Sequence, residues 1–211
     1  MKKNEEYIVT CIDDTDLNSG VVKIDDMVVF VPNLLIGEKA KIKIVKVNKK
    51  YAFGIITQLL KPSINRQELT CEVAKTCGGC QLQHMKYAYQ LDYKYKHVKK
   101  LFEDIEVKSI LGMDSPWYYR NKAQFPVKIK DGKVLMGFYR QHSNDVVTCK
   151  ECKIQDFTIN KIFGFIQKHI TIEMAEGLRH IFIRHSSTDE IQVVFIGIYE
   201  KNILSLSKLL K

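Results

Sequence analysis

Cys71-Glu72-Val73-Ala74-Lys75-Thr76-Cys77-Gly78-Gly79-Cys80 sets three thiols within ten residues, with two glycines inside the last interval. A free cysteine behaves as a small hydrophobe, and packing gives it no reason to recur at this spacing. A metal ion or an iron–sulfur cluster, by contrast, needs several thiolates converging on one point. The Cys-x-x-Cys turn delivers two ligands, Gly78 and Gly79 let the backbone curl close to an inorganic centre, and Cys71 completes half of a shell. Zinc held by four cysteines satisfies the same pattern, so the spacing alone leaves the metal open.

Upstream of this turn the sequence reads as strands. Tyr7 to Cys11 is followed by Gly20 to Ile24, a two-residue Asp25-Asp26 turn and Met27 to Val31, which predicts a hairpin. In Lys39 to Val47, Ala40, Ile42 and Ile44 alternate with Lys41 and Lys43, and the slip at Val45 predicts a bulge. Asn48-Lys49-Lys50 turns the chain, Tyr51 to Leu60 returns, and Pro62 closes the unit. Five short strands in about sixty residues suit an oligonucleotide-binding (OB) type of barrel. Lys41, Lys43, Lys46, Lys49 and Lys50, with Tyr51 and Phe53 beside them, are candidates for a cationic surface carrying stacking rings.

Downstream, Ala88, Leu91, Tyr95, Val98 and Phe102 recur at helical spacing and leave Lys86, Lys96, Lys99 and Lys100 mostly elsewhere, so a basic amphipathic helix follows the turn. His84 falls on its first turn, where a packing or capping role is the simpler reading. A new strand system begins with Ser115 to Val127, turns at Asp131-Gly132 and returns through Val134 to Tyr139. A strand from Asp145 ends in Cys149-Lys150-Glu151-Cys152, and a helix is predicted over Phe157 to Ile170. Strands over His180 to Arg184 and Ile191 to Ile198 follow, with a helix from Lys201 to Lys211. Arg120 and Lys122, next to Tyr118 and Tyr119, join a guanidinium and an amine to aromatic faces, the inventory for gripping phosphates and stacking bases.

The 211 residues are 45% hydrophobic with a formal charge of +9, which fits a globular protein with a polyanionic partner. Neither a signal peptide nor a membrane span is visible, so a cytoplasmic location with no membrane partner is expected, and six cysteines then read as ligands or free thiols.

The sixty-residue barrel with Gly37-Glu38 before a basic strand, ending near Pro62-Ser63 with Arg66 just after, resembles the TRAM domain of RNA-modifying enzymes. The run Cys71-x5-Cys77-Gly78-Gly79-Cys80-x2-Gln83-His84 resembles the iron–sulfur motif of the TrmA and RumA family of RNA uracil-5-methyltransferases. There, three such cysteines and a distant fourth hold a 4Fe–4S cluster. Tyr118-Tyr119-Arg120-Asn121-Lys122 is similar to the family's Tyr-Arg-Asn-Lys segment. The resemblance implies Cys71, Cys77 and Cys80 as ligands, with Cys152 as the fourth from its Lys-x-Cys context and Cys149 as a structural thiol. The competing arrangement is a zinc ribbon pairing Cys77 and Cys80 with Cys149 and Cys152, which leaves Cys71 spare.

Family members use S-adenosylmethionine, a cysteine that adds to C6 of uracil, and a carboxylate that removes the C5 proton. Neither a glycine-rich strand–turn–helix nor a cysteine beside an Asn-Pro pair is found here, so no residue is assigned a catalytic role. The expected fold is α+β and β-rich: a TRAM barrel over residues 1–62, then an iron–sulfur-stapled helix and a mostly antiparallel β domain over residues 63–211, incomplete at its C-terminus. The S-adenosylmethionine domain is expected to be absent, its cofactor belonging to a full-length parent, so that the chain is a fragment, a truncated form or a split gene product. The expected partner is RNA, ribosomal rather than transfer RNA, bound by a monomer. The alternative is a stand-alone iron–sulfur or zinc RNA-binding module or redox sensor.

Overall fold

The computed structural model describes residues 1–209 except 103 and 198. It divides into two compact units: Met1–Leu69 with Gln81–Gly112, and Thr70–Cys80 with Met113–Lys211.

The first unit is built on strands β1 (Glu6–Thr10), β2 (Asp13–Asp14), β3 (Ser19–Ile24), β4 (Met27–Pro32), β5 (Lys39–Val47) and β6 (Tyr51–Lys61). Their order is β1-β5-β6-β4-β3-β2, antiparallel except for the parallel β4–β6 pair. The two ends of this sheet are consecutive pieces of one bent strand. Cys11 exchanges backbone hydrogen bonds with Gly37 and Glu38 on one side, while Ile12 donates to Val21 on the other. The sixth strand is thus the continuation of the first, and the five expected strands close on themselves. Inward residues alternate as expected: Val22, Val29, Val31, Ile42, Ile44 and Ala52 are fully buried. The register slips between Ile44 and Lys46, where the bulge was expected.

Helix α1 (Tyr87–Leu101) belongs to this unit. Its expected inner stripe is only partly inside: Ala88 is exposed, as are Val98 and Phe102, while Tyr93 is buried. Tyr93 packs with Leu35 and Met85, donates its phenolic O–H to the Thr15 carbonyl at 2.5 Å and accepts from the Asn18 N–H at 3.0 Å. Tyrosine can bury a ring while its hydroxyl satisfies loop backbone, so the polar-tipped face wins over the more apolar stripe. The four expected ligands, Cys71, Cys77, Cys80 and Cys152, lie in the second unit.

The second unit carries β7 (Lys122–Lys130), β8 (Lys133–Tyr139), β9 (Val146–Thr148), β10 (His180–His185) and β11 (Ile191–Ile196). They form one antiparallel sheet in the order β11-β10-β7-β8-β9. Helix α2 (Phe157–His169) buries Ile159, Phe163 and Ile166 against one face, with Phe163 stacked on Phe125 at 4.3 Å between ring centroids. Asp156 caps α2 by accepting from the Thr158 and Ile159 N–H groups. Short helices α3 (Ile172–Ala175) and α4 (Ile203–Leu209) follow; the expected strand end at Ile198 and helix end at Leu210 and Lys211 lie outside the described residues.

Two expected strands are shorter. The strand begins at Lys122 rather than Ser115, because residues 118–120 hydrogen-bond alongside residues 153–155 instead. The strand ending in two cysteines stops at Thr148, because Asn160 captures the backbone of Cys152. Among the described residues no helix is long and apolar enough to cross a membrane.

Candidate functional site

The cysteine turn is fastened to the end of β8. Gly78 donates its N–H to the Tyr139 carbonyl at 2.9 Å, and Gln141 donates to the Thr76 carbonyl at 3.1 Å. A Cβ on Gly78 would lie 3.2 Å from the Tyr139 oxygen and 3.3 Å from the Gln141 Cα, so the close backbone approach favours glycine. A second tie joins the turn to the loop of the distant cysteines: the Lys150 N–H donates to Glu72 Oε1 at 3.0 Å.

All six cysteines stand as thiols. Cys71, Cys77, Cys80 and Cys152 are half-buried. The Gly79 N–H donates to Cys77 Sγ at 3.3 Å. Burial pushes the Cys77 thiol up, the Gly79 amide pulls it back, and Cys80 and Cys71 add to the rise. Burial pushes Cys152 up to about 11 against the backbone N–H groups of Ile154 and Gln155, with Cys80 and Cys77 again raising it. Amide donors on sulfur suit thiolates that bind an inorganic centre. Cys149 differs: it is 5% exposed within the core formed with Phe125 and Phe163, and its thiol is pushed up to about 12, first by burial and then by Cys152, Cys77 and Cys71. Among the described residues, no three or more His, Cys, Asp or Glu side chains converge closely enough to hold a metal ion as they stand. The donor set fits a cluster in kind: four half-buried thiols on tied segments of one unit, two of them with amide donors at sulfur.

Asn160 was invisible to the sequence reading. Its Oδ1 accepts from the Cys152 N–H at 2.8 Å and its Nδ2 donates to the Cys152 carbonyl at 3.0 Å. His84 lies in the first unit, buried, with Nε2 unpartnered among the described residues and its pKa pushed down to about 4 by burial first and then by the Arg66 charge.

The candidate RNA contacts fall into two groups. In the first unit, Lys49, Lys50 and Tyr51 are exposed, Lys43 is half-buried, and Lys41 is ion-paired to Glu6 at 2.6 Å. Tyr51 and Phe53 alternate outward with Ala52 and Gly54 inward, and Phe30 joins them. The ring centroids lie 5.8 Å apart for Phe30–Tyr51, 5.9 Å for Phe30–Phe53 and 5.5 Å for Tyr51–Phe53. Phe30 was missed because only the parallel β4–β6 pairing places it opposite Phe53. In the second unit, Arg120 and Lys122 are exposed, and Lys122 Nζ lies 5.4 Å from the Phe182 ring centre. Tyr118, at a φ of 55°, stacks on Phe157 at 3.9 Å, while Tyr119 is 48% exposed.

Residues 3–57 match the TRAM domain. The chain is 37% identical to an uncharacterized RNA methyltransferase of Clostridium acetobutylicum, covering 93% of this chain and 46% of that protein. It is 41% identical to one of Bacillus cereus, with the same coverages, and 38% identical to one of Staphylococcus epidermidis, covering 100% of this chain and 51% of that protein. The fold matches the crystal structure of Pyrococcus abyssi tRNA (uracil-54, C5)-methyltransferase in complex with S-adenosyl-L-homocysteine. The TM-score is 0.60 at 24% identity, covering 89% of this chain and 45% of that one. The chain spans about half the length of the curated relatives it matches. It therefore carries a TRAM domain and is homologous to RNA methyltransferases.

Proposed function

We propose that this chain is the RNA-recognition and iron–sulfur portion of an S-adenosylmethionine-dependent 23S rRNA (uracil-5-)-methyltransferase. The half that binds S-adenosylmethionine and carries the nucleophile then lies in sequence beyond this chain. The observation that carries the reading is the match to RNA methyltransferases along 93–100% of the chain but only 46–51% of theirs, with a TRAM domain at its start. Uracil C5 as the methylated atom is supported by the name of the Pyrococcus abyssi protein that shares the fold. That protein is a tRNA enzyme; ribosomal RNA is preferred here for the joint presence of the barrel and the cysteine set.

In this reading Cys71, Cys77, Cys80 and Cys152 hold a 4Fe–4S cluster, whose chemistry when bound is to cross-link the turn to the Cys152 loop. The chain's own residues bind and present RNA. A uracil must leave any stack before its C6 can be attacked, and holding unstacked RNA calls for cations and aromatic faces together. Phe30, Tyr51 and Phe53 beside Lys43, Lys49 and Lys50 provide that combination on the barrel.

The reading is tested by deleting the gene and quantifying 5-methyluridine by mass spectrometry in purified 23S and transfer RNA. Loss from 23S RNA alone is expected. Loss from transfer RNA alone refutes the ribosomal target, and no loss from either refutes the methyltransferase assignment.

A further inference from the structure

The face of the second unit's sheet opposite α2 has its own chemistry. Because Arg184 pairs with Lys122 and Gln192, and Phe182 with Gln124 and Val194, the residues Lys122, Gln124, Phe182, Arg184 and Gln192 all project to this one face. The buried Ala123, Phe125, Ile181 and Ile183 point the other way, into the core under α2. At one end of the open face lies a cavity of about 410 Å³ lined by Asn121, Lys122, Arg184 and Gln192 together with His185, Ser186, Glu190 and Ile191.

The cavity is walled by an ordered loop. The Ser186 hydroxyl accepts from the N–H groups of Thr188 and Glu190 at 3.2 and 3.0 Å, and the His185 N–H donates to the Asn121 carbonyl at 3.0 Å. The His185 ring is held from both sides, Nδ1 by Asp156 at 2.9 Å and Nε2 by Asp189 at 2.8 Å, so these two carboxylates are already engaged. Glu190, the acidic residue of the lining, accepts from the Thr188 hydroxyl at 3.0 Å. Lys122 and Arg184 are exposed, stand directly opposite each other, and make no ion pair among the described residues.

The geometry points to this cavity as a nucleotide-binding site for single-stranded RNA, a second RNA contact apart from the barrel's aromatic patch. Two unneutralised cations on adjacent strands bridge the oxygens of one phosphodiester. Asn121, Gln192 and the Glu190 carboxylate then meet the donors and acceptors of a base edge, and the Phe182 ring beside Lys122 offers a face for a neighbouring base. The volume accommodates a nucleotide, and a sheet face with cations around an aromatic ring is a common way to hold unstacked RNA. The assignment rests on reading the chain as RNA-binding.

Fluorescence anisotropy with a short fluorescein-labelled single-stranded RNA, titrated over a range of salt on the chain purified anaerobically, tests both layers. Lys122→Gln and Arg184→Gln are each expected to weaken binding several-fold and to lower the salt slope by about one, while Lys133→Gln, on the exposed β7–β8 hairpin, changes neither. Thermal melts confirm that the variants fold. Wild-type protein that binds RNA with both variants unchanged overturns the cavity assignment alone and leaves the face to another partner, such as protein. Wild-type protein that fails to bind RNA overturns the broader reading as well.

Discussion

Asn160, on the second turn of α2, grips Cys152 by two hydrogen bonds, accepting from its N–H at 2.8 Å and donating to its carbonyl at 3.0 Å. The same Nδ2 reaches the Gln155 carbonyl at 2.9 Å. A loop with no strand or helix of its own has its backbone groups satisfied by one amide side chain, as the backbone's obligatory hydrogen bonding requires. The loop in turn supports the basic segment: Tyr118 donates to the Lys153 carbonyl, Arg120 donates to the Ile154 carbonyl, and Asp156 donates to the Arg120 carbonyl.

Iron and sulfide content after anaerobic purification tests the ligand set. Cys152→Ser is expected to lose the cluster and Cys149→Ser to keep it; the reverse sinks the assignment. Asn160→Ala leaves part-buried backbone groups of the Cys152 loop without their side-chain partner, at a cost of about 1 kcal/mol, and is expected to lower cluster occupancy without removing a ligand.

The Glu38–Arg66 pair is expected to hold the barrel's Leu35 and Ser63 segments. Glu38 is fully buried, with Arg66 Nε at 2.5 Å from Oε1 and Nη2 at 2.6 Å from Oε2, and the Leu35 and Ser63 N–H groups complete its shell. Burial pushes this carboxyl up, but Arg66 and the two amides more than offset that and hold it below the ordinary range. Arg66→Leu strands a buried carboxylate, at a cost of about 3 kcal/mol. Chemical denaturation that shows no loss in the variant would rule the pair out as a stabilising element.

Acid should loosen the first unit in two stages. His84 titrates near 6.5 when unfolded but is pushed down to about 4 when folded, so between those values only the unfolded chain takes up the proton. Stability therefore falls as pH drops from 6.5 to 4, by about 3 kcal/mol in all. Glu38, whose folded pKa is depressed, adds a further loss as pH falls below its unfolded value of 4.5. His84→Leu is expected to flatten the first stage of the melting-temperature profile. A wild-type profile that is level from neutral pH down to 5 contradicts the account.

Stacking and charge on the barrel separate by salt. Tyr51→Ala is expected to weaken RNA binding by about 1–3 kcal/mol with the salt slope unchanged, because a ring contributes no counterion release. Lys49→Gln with Lys50→Gln is expected to lower the slope. A slope that responds to Tyr51→Ala, or ignores the lysines, contradicts the division of roles.

The raised pKa of His185, due first to Asp189 and also to Asp156 against the opposing effect of burial, makes its contribution to stability largest in acid. The contribution is complete below the unfolded value of 6.5 and is lost as pH rises through the folded value. Asp189→Asn is expected to reduce this dependence in melts taken from pH 6 to 9. An unchanged profile shows that the ring and carboxylate do not interact in solution.

Local pattern was enough for the barrel's strands, the bulge after Ile44, the α2 helix and the Asp131-Gly132 hairpin, because alternation and turn chemistry act over a few residues. The same pattern misjudged α1, where composition favoured Leu91 and Val98 but the long-range partner of Tyr93's hydroxyl, the Thr15 carbonyl, set the buried face. The three thiols of residues 71–80 nominated a candidate site by spacing alone. What only tertiary structure decided were relations between distant segments: the bend at Cys11 that closes the sheet, Phe30 brought beside Phe53 by a parallel pairing, Asn160 on Cys152, and Arg184 opposite Lys122. Each depends on register or crossover, and register is set by which faces must be buried together, a property of the assembled core that no single stretch of sequence carries.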